Sequence, residues 1–280
     1  MPPVKPAVID ELIEMRGLRF HYRDWASTRP DAPTLVLLHG YTGHARTWDN
    51  FAAAMTDRYR VIALDQRGHG ESGWAGDGYG VMQMADDLAA FVKALGLRRF
   101  WLLGLSMGGM VTMQYAGRKP AELAACVIVD IGPELDPVGI ARITAGQGAS
   151  DTFAHPDDAF AAARAIEPLA ADADLRHRID TSLMRTEDGR WTWRYDRALR
   201  SPGGLGMIGA DVAWQSCADI AVPTQLIRGD VTDILSLDVA ERMLTTIPDV
   251  RLATVARSGH NIPLDAPADL IAAAREFLMG

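Results

Sequence analysis

Hydrophobic and polar positions follow two different patterns along the chain. In residues 18–23 they alternate every second residue, the period of a half-exposed antiparallel strand, and Gly17 fits the tip of a hairpin leading into it. Four later segments are short continuous apolar runs, at residues 34–38, 61–64, 100–103 and 125–129. Continuous runs are typical of strands that are buried on both faces, as in a parallel sheet.

Apolar residues at helical spacing lie between these runs. The two clearest sets are Met84, Leu88, Phe91, Val92 and Leu95, and then Met110, Val111, Met113 and Tyr115. Because strand and helix alternate, the pattern predicts a parallel α/β sheet with right-handed crossovers. Such a sheet binds its ligand at the carboxyl ends of its strands, so the loops that follow strands are where we expect chemistry.

The alternation breaks at about residue 134, where Pro133, Pro137, Gly139, Gly146 and Gly148 interrupt it, and resumes at residue 223. We therefore predict an inserted cap over residues 134–211, between core segments 1–133 and 212–280. Residues 159–166 favour a helix, whereas an aromatic alternation at residues 191, 193 and 195 leaves its own shape open. After the insert we expect strands at 224–227 and 250–255 and a last helix at 270–278.

The net charge of the chain limits the partners it can bind, and its cysteine content indicates the state of its thiols. The chain carries 28 Lys and Arg against 36 Asp and Glu, a net charge of −8 that is spread along it, so nucleic acid and anionic membrane surfaces are poor partners. Its two cysteines, Cys126 and Cys217, are far apart and fit buried reduced thiols. Neither a secretory signal nor a long uncharged apolar run is present, so we expect a cytoplasmic protein.

The first chemical motif is G-x-S-x-G at residues 104–108, directly after the apolar run at 100–103 and before a helical pattern. The glycines suit a sharp strand-to-helix turn that leaves no room for side chains and projects the Ser106 hydroxyl into solvent. A serine that merely caps the helix is the simpler alternative. As a nucleophile, Ser106 would need a base to take its proton.

Among seven histidines, His260 fits the role of the base best, because it follows the last predicted strand and precedes the final helix. That position places it at the same sheet edge as Ser106. By contrast, His21 lies in an edge strand, and His44, His155 and His177 read as solvated positions.

Three aspartates compete to orient the imidazole. Asp233 and Asp230 lie in the loop after the strand at 224–227, and Asp130 ends the strand at 125–129. We favour Asp233, which lies deeper in its loop and has room to reach the imidazole, and place Asp130 second. Asp230 directly follows its strand and is expected to form a local turn bond.

Acyl transfer also needs hydrogen-bond donors for the oxyanion that develops on the carbonyl oxygen. The backbone amide of Met107, the residue after the serine, is one predicted donor. The amide of Tyr41, in the loop after the strand at 34–38, is the other. A plain tight turn at His39 and Gly40 is the alternative for that loop.

Taken in order, these motifs resemble the α/β-hydrolase superfamily, in its esterase-like serine-hydrolase branch with an inserted cap. They are His39-Gly40, the D-x-R-G-x-G-x-S segment at 65–72, the turn at Ser106, Gly229 to Asp233, and Gly259-His260. The resemblance implies an eight-stranded, mostly parallel sheet with helices on both faces and a mainly helical cap. It also implies that Asp65 and Arg67 are scaffold, and that the order of serine, aspartate and histidine is the family's own.

The resemblance implies hydrolysis of an ester or lactone of a small hydrophobic substrate through an acyl-enzyme on Ser106. Relatives that form alkyl-enzyme esters, the epoxide hydrolases and haloalkane dehalogenases, have an aspartate where this chain has Ser106. Hydrolysis of a carbon–carbon bond in a vinylogous diketone, or of an amide or peptide, would use the same three residues. A non-enzymatic small-molecule receptor is the alternative from a different class.

No cofactor is expected. Two G-x-G-x-x-G matches, at residues 68–73 and 204–209, lack the strand and helix that a dinucleotide site needs. Metal-binding spacings of histidine and cysteine are also missing from the sequence. Trp191, Trp193 and Tyr195 are candidates for the wall of a substrate pocket, with a packed cap interior as the alternative. A homo-oligomer is compatible with the sequence.

Overall fold

The computed structural model describes residues 7–76, 78–136, 138–139, 141, 151–201 and 203–279. Eight strands form one sheet in the order β1-β2-β4-β3-β5-β6-β10-β11, and three more form a small second sheet. The strands are β1 (Val8–Met15), β2 (Leu18–Trp25), β3 (Thr34–Leu38), β4 (Arg60–Leu64), β5 (Phe100–Leu105), β6 (Leu123–Val129), β7 (Thr152–Phe153), β8 (Leu183–Arg185), β9 (Trp191–Trp193), β10 (Thr224–Gly229) and β11 (Val250–Val255).

The large sheet is parallel from β4 to β11, and only the hairpin of β1 and β2 runs antiparallel to its neighbours. Arg16 and Gly17 both adopt positive φ at the tip of this hairpin. Gly17 takes this backbone freely, which is why the predicted turn lies there. The sequence-based expectation of a mostly parallel eight-stranded sheet is confirmed.

Helices cover both faces of this sheet. They are α1 (Asp49–Met55), α2 (Val81–Ala94), α3 (Met107–Gly117), α4 (Pro156–Ile166), α5 (Asp172–Ser182), α6 (Ala210–Asp219), α7 (Leu237–Thr246), α8 (Ile262–Asp265) and α9 (Pro267–Met279), with short 3₁₀ helices at Ala45–Trp48 and Arg197–Arg200. Residues of α2, α3, α6 and α7 belong to one buried cluster. Residues of α1 and α9 belong to a second cluster on the other face.

Strand β3 shows why its apolar run is continuous. Val36 and Leu38 point into the first cluster, and Leu35 and Leu37 point into the second. All four are fully buried. Because neighbouring side chains point to opposite faces of a strand, a strand that is covered on both faces must be apolar at every position.

The insert combines helices with a small sheet. Its helices α4 and α5 pack beside the antiparallel strands β7, β9 and β8, around a third apolar cluster. The aromatic alternation at 191 and 193, whose shape the sequence leaves open, is strand β9, while helices make up most of the regular structure described in the insert. Pro137, Gly146 and Gly148, which mark the predicted break, lie outside the described residues.

Backbone hydrogen bonds join the insert to the core. The amide of Gly70 donates to the carbonyl of Arg194 at 2.9 Å, and the amide of Asp196 donates to the carbonyl of Gly68 at 2.7 Å. Helix α6, which follows the insert, packs against α3. Among the described residues, no helix combines the length and the apolar character needed to cross a lipid bilayer.

Candidate active site

Ser106 lies at the turn from β5 into α3. Its backbone has φ 52° and ψ −117°. A residue other than glycine adopts such a positive φ only when its surroundings hold it there. Its amide donates to the carbonyl of Val129 on β6 at 3.0 Å, and the amide of Met110 donates to its own carbonyl at 2.9 Å. The sheet on one side and the helix on the other therefore hold the strained turn.

The flanking glycines make this turn possible. A Cβ atom on Gly104 would lie 2.1 Å from the carbonyl oxygen of Gly108, and one on Gly108 would lie 2.4 Å from the carbonyl oxygen of Leu38. Because the clashing atoms are backbone, they have no way to yield by rotating a side chain. The first turn of α3 can approach β3 and β5 only because both positions lack a side chain.

His260 lies in the loop between β11 and α8, and its ring bridges two partners. Its Nε2 atom is 2.9 Å from Oγ of Ser106. Its Nδ1 atom is 2.8 Å from Oδ2 of Asp130. Since a carboxylate only accepts hydrogen bonds, Nδ1 carries the proton and Nε2 is left to accept the hydroxyl proton of Ser106. The side chain of His260 is 16% exposed, so the imidazole is shielded but accessible.

Asp130, not Asp233, is the carboxylate beside the imidazole, so the expectation that Asp233 orients His260 is wrong. Asp130 directly follows β6, the immediate neighbour of the strand that carries Ser106. Strand β10, which precedes Asp233, lies one position further away in the sheet. The order of serine, aspartate and histidine along the chain is preserved with Asp130.

The carboxylate of Asp130 is fully buried and is held by β10 and its loop. The backbone amide of Gly229 donates to its Oδ1 at 2.9 Å, and the hydroxyl of Thr232 donates to its Oδ2 at 2.5 Å. Together with the His260 bond, these contacts replace the water that a buried charge would otherwise lack. Sequence reasoning missed Thr232, because only the strand order shows that its loop reaches β6.

Asp230 bonds to a loop that is distant along the chain, and not only within the local turn expected of it. Its carboxylate accepts the amide of Ser258 at 3.1 Å, in the turn that leads to His260. Backbone amides, first that of Arg257, lower the pKa of Asp230 below its usual value. The loop after β10 therefore steadies the histidine loop through Asp230 and steadies Asp130 through Gly229 and Thr232.

The two predicted oxyanion donors belong to the first residue of α3 and to the loop after β3. Met107 opens α3, where the first amides of a helix have no partner within the helix. The loop of Tyr41 lies against the serine, since a Cβ on Gly40 would be 3.2 Å from the Cβ of Ser106. The Tyr41 hydroxyl donates to the carbonyl of Leu199 at 3.0 Å, which joins this loop to the insert.

A buried polar layer supports the loop of Tyr41. His39 donates from Nδ1 to the carbonyl of Gly40 at 2.8 Å and accepts the amide of Gln66 at Nε2, at 3.0 Å. Burial lowers the pKa of His39 to about 4 and that of the adjacent His69 to about 3. Both rings are therefore neutral at pH 7, and they act as fixed hydrogen-bonding spacers rather than as bases.

Asp65 and Arg67 lie in this scaffold. The carboxylate of Asp65 accepts the amides of Ala45 and Glu71, at 2.5 and 2.8 Å, and the ring of His21 at 2.7 Å. Burial by itself would raise the pKa of Asp65, but the His21 hydrogen bond and the neighbouring histidines outweigh it and lower the pKa to about 2. Arg67 pairs with the buried carboxylate of Asp87, with 2.8 Å between Nη2 and Oδ1.

The three predicted pocket residues occupy different places. Trp191 and Trp193 are half-buried on β9 and pack against the third cluster, where Trp193 meets Phe153 edge to face at 5.3 Å between ring centroids. Tyr195 is buried in the first cluster, with its ring 6.5 Å from that of Tyr41. Trp191 and Trp193 thus pack within the insert, and Tyr195 packs between insert and core.

A second polar group lies beside His260 and was not predicted. Asp265, five residues further along, accepts the amide of Gly259 at 2.9 Å. Burial, helped by the nearby charge of Glu167, raises the pKa of Asp265 to about 6. Asn261 donates from Nδ2 to Oε1 of Glu167 at 3.1 Å. Nothing in the sequence marks Asp265 or Glu167 as a neighbour of the histidine loop. Only the folded structure shows that their carboxyl groups lie beside it.

Cys126 and Cys217 are buried and free, as expected for reduced thiols. In the part of the chain that the structure describes, histidine, cysteine and acidic side chains form no group of three arranged to hold a metal ion.

With this fold and geometry in hand, comparison with known proteins identifies the class. The family model for the alpha/beta hydrolase fold matches residues 33–267, and the chain belongs to that family. Esterase Rv0045c of Mycobacterium tuberculosis is 29% identical over 258 residues, which cover 88% of this chain and 83% of that protein. The 3-hydroxybutyrate-oligomer hydrolase of Cupriavidus necator is 28% identical over 285 residues, 96% of each chain.

A solved structure agrees with these matches. An alpha/beta hydrolase from Novosphingobium aromaticivorans superposes with a TM-score of 0.83 at 30% identity, covering 97% of this chain and 98% of the other. The chain is therefore an α/β hydrolase over nearly its whole length.

Proposed function

We propose that the chain is a serine hydrolase that cleaves a carboxylic ester or lactone of a small hydrophobic substrate. The observation that carries this proposal is the continuous hydrogen-bonded path from Ser106 through His260 to Asp130, with distances of 2.9 and 2.8 Å. A hydroxyl, a neutral imidazole and a buried carboxylate at these distances form the arrangement that activates a serine for attack on a carbonyl.

In the first half of the reaction, Oγ of Ser106 attacks the carbonyl carbon while Nε2 of His260 takes its proton. The imidazolium that forms is stabilised by the carboxylate of Asp130, which stays ionised. The imidazolium then protonates the leaving alcohol as its bond to the carbonyl carbon breaks. The products of this half are the free alcohol and an acyl-enzyme on Ser106.

In the second half, water takes the place of the alcohol. Nε2 of His260 removes a proton from the water as its oxygen attacks the acyl carbon, and the same proton returns to Oγ of Ser106 when the acid departs. In both halves the amides of Met107 and Tyr41 hold the negative charge on the carbonyl oxygen. Each such donor is typically worth about 3 kcal/mol of transition-state stabilisation.

The surroundings and the relatives support this substrate class. The half-buried ring of Tyr41 adjoins Gly40 beside the serine, so we propose that it forms part of an apolar wall with Tyr195, and that Trp193 extends it. The relatives named above are called an esterase and an oligomer hydrolase, and both names fit hydrolysis at an acyl carbon.

The proposal is tested with p-nitrophenyl esters of short fatty acids, alongside panels of lactones, amides and vinylogous diketones. We expect turnover of the esters or lactones, and its loss in Ser106→Ala with an unchanged circular dichroism spectrum. The matched control is Ser201→Ala, at an exposed serine of the insert, which should keep full activity. Full activity of Ser106→Ala would refute the proposal, and cleavage confined to the amides or diketones would replace the substrate class.

A further inference from the structure

The loop that carries His260 is held by the insert as well as by the core. Asn261, the next residue, donates from Nδ2 to Oε1 of Glu167, the residue directly after α4, at 3.1 Å. The same oxygen accepts Nη1 of Arg178 from α5 at 2.9 Å. The backbone carbonyl of Glu167 in turn accepts Nη1 of Arg164 at 3.0 Å. Glu167 is thus fixed by both helices of the insert before it meets the loop.

Helix α8, directly after Asn261, ties the loop to the insert a second time. Its Leu264 is 6% exposed and belongs to the insert's apolar cluster, together with Ala163 and Leu175. Its Ile262 is fully buried in the second core cluster, the one that contains residues of α1 and α9. This four-residue helix therefore packs against insert and core at once.

Asp265 closes the other side of the loop by accepting the amide of Gly259 at 2.9 Å. The charged groups that act on its carboxyl are Glu167 from α4, Arg178 from α5 and His260 from its own loop. The residues on both sides of the histidine, Gly259 and Asn261, are thus each bound by a carboxyl group. Side-chain acceptors that clamp both neighbours of one residue restrict its backbone and its ring together.

We propose that the insert is a working part of the catalytic apparatus, in which Glu167 positions the imidazole of His260 through Asn261 while Asp265 positions it through Gly259. Glu167 and Asp265 are positioning residues, since neither touches Ser106. The inference rests on the proposed function, because it concerns the same imidazole. Its consequence is that a change at Glu167, in the insert, alters the rate of acyl transfer rather than substrate binding.

The expected loss of kcat follows from how strongly the rate of proton transfer depends on the position of the imidazole. A displacement of about 1 Å of a catalytic group costs about 100-fold in rate. Loss of one of the two clamps allows a smaller displacement, so we expect Glu167→Ala and Asn261→Ala each to lower kcat about 10-fold with little change in KM. Glu167→Gln keeps an oxygen that can accept from Asn261, so its kcat should stay within about threefold of the wild type.

The experiment combines steady-state kinetics with the rate at which a fluorophosphonate labels Ser106. We expect labelling to slow in parallel with kcat in Glu167→Ala and Asn261→Ala, and the double variant to be no slower than either single one. That non-additivity is the signature of two residues that act through one contact. The matched control is Glu187→Ala, at an exposed position in the turn between β8 and β9, which should label at the wild-type rate.

Asp265 provides a second readout. Asp265→Ala removes the acceptor of the Gly259 amide and should lower kcat about 10-fold with little change in KM, whereas Asp265→Asn keeps an acceptor and should stay within about threefold of the wild type. Equal kcat in the two variants would show that the contact with Gly259 does not position His260.

Fluorophosphonate labelling distinguishes the positioning role of Glu167 from the proposed role of Ser106 as the nucleophile. If a fluorophosphonate fails to label Ser106 in the wild type, the proposed function is wrong. If the wild type is labelled and Glu167→Ala and Asn261→Ala are labelled equally fast, only the positioning role is overturned. Should Glu167→Ala not fold, Asn261→Ala decides in the same way, because the side chain of Asn261 is partly exposed and its loss leaves the insert's own contacts intact.

Discussion

The carboxylate of Asp130 is surrounded by hydrogen-bond donors on three sides. It accepts from the Gly229 amide, the Thr232 hydroxyl and the His260 ring, at 2.9, 2.5 and 2.8 Å. Three such donors replace the water that a buried carboxylate would otherwise lack, and they hold it in one place. A carboxylate in a fixed position is what setting the tautomer of an imidazole requires.

A comparison of two aspartates tests this assignment. We expect Asp130→Asn to lower kcat about 10³- to 10⁴-fold, because an amide lacks the charge that stabilises the imidazolium and favours the wrong tautomer. Asp233→Asn should stay within about threefold of the wild type. The measurement is ester turnover by both variants, with folding checked by circular dichroism. The reverse ranking would restore Asp233 as the orienting acid.

The buried carboxylate of Asp65 contributes to the stability of the folded protein. Its pKa in the folded protein is about 2 against an ordinary value of 3.8, so it adds stability above pH 4 that is lost as the pH falls towards 2. Asp65→Asn should therefore lower the free energy of unfolding by about 2 kcal/mol at pH 7. Urea unfolding at pH 7 and pH 3 measures this.

The control for Asp65 compares the loss of unfolding free energy in Asp65→Asn at pH 7 with the loss at pH 3. The difference between wild type and Asp65→Asn should narrow at pH 3, because the Asp65 carboxyl of the unfolded chain, with its ordinary pKa of 3.8, is then mostly protonated while that of the folded protein is not. An equal difference at both pH values would show that the charge of Asp65 does not contribute.

At the scale of elements, the turn between β5 and α3 depends on the absence of two side chains. We expect Gly108→Ala to destabilise the protein by about 3 kcal/mol or more, because its Cβ would lie 2.4 Å from a backbone oxygen of β3. The control is Gly209→Ala, which precedes α6, has an ordinary φ of −64° and meets no atom within 4 Å. That variant should change stability by about 1 kcal/mol or less.

Urea denaturation of both glycine variants provides the measurement. Equal stability of Gly108→Ala and Gly209→Ala would mean that α3 can move away from β3 at no cost. The close approach of the helix to the strand would then not be what shapes the turn at Ser106.

The elements differ in how far the sequence alone could predict them. Strands β3 to β6 were predictable, because burial on both faces requires an unbroken apolar run. Strand β9 was not, because a three-residue strand on a small antiparallel sheet leaves only a short alternation at Trp191 and Trp193. Ser106 and His260 stood out by motif and by position, and the structure brings them together.

The acid was missed for a physical reason. Asp130, Asp230 and Asp233 all follow strands, and their spacing along the chain does not say which strand adjoins β5. The answer depends on the strand order, in which β6 and not β10 is the neighbour of β5. That order is set by the packing of the whole sheet and carries no local signature.

The reactivity of the two cysteine thiols measures how readily the whole molecule unfolds. Cys126 and Cys217 are fully buried, and burial raises the pKa of each thiol to about 12. Because the thiolate is the reactive form, the folded protein should react very slowly with a thiol reagent such as Ellman's. Two thiols per chain should react at once in concentrated urea.

The slow reaction of the folded protein should follow global unfolding, since Cys126 lies on β6, an interior strand of the sheet. Fast reaction of either thiol in the native state would show that the core opens locally. It would also contradict the packing described here for the cluster that contains both cysteines.

The insert and the core both contact the loop of His260, beside the proposed nucleophile Ser106. Attack by Ser106 is tested by stopping ester turnover with acid during the first turnovers and locating the acyl group by mass spectrometry. We expect one added acyl mass on the peptide that contains Ser106, and none in Ser106→Ala. An acyl group on another residue, or turnover with no acyl-enzyme in a protein that lacks Ser106, would rule out this role of Ser106.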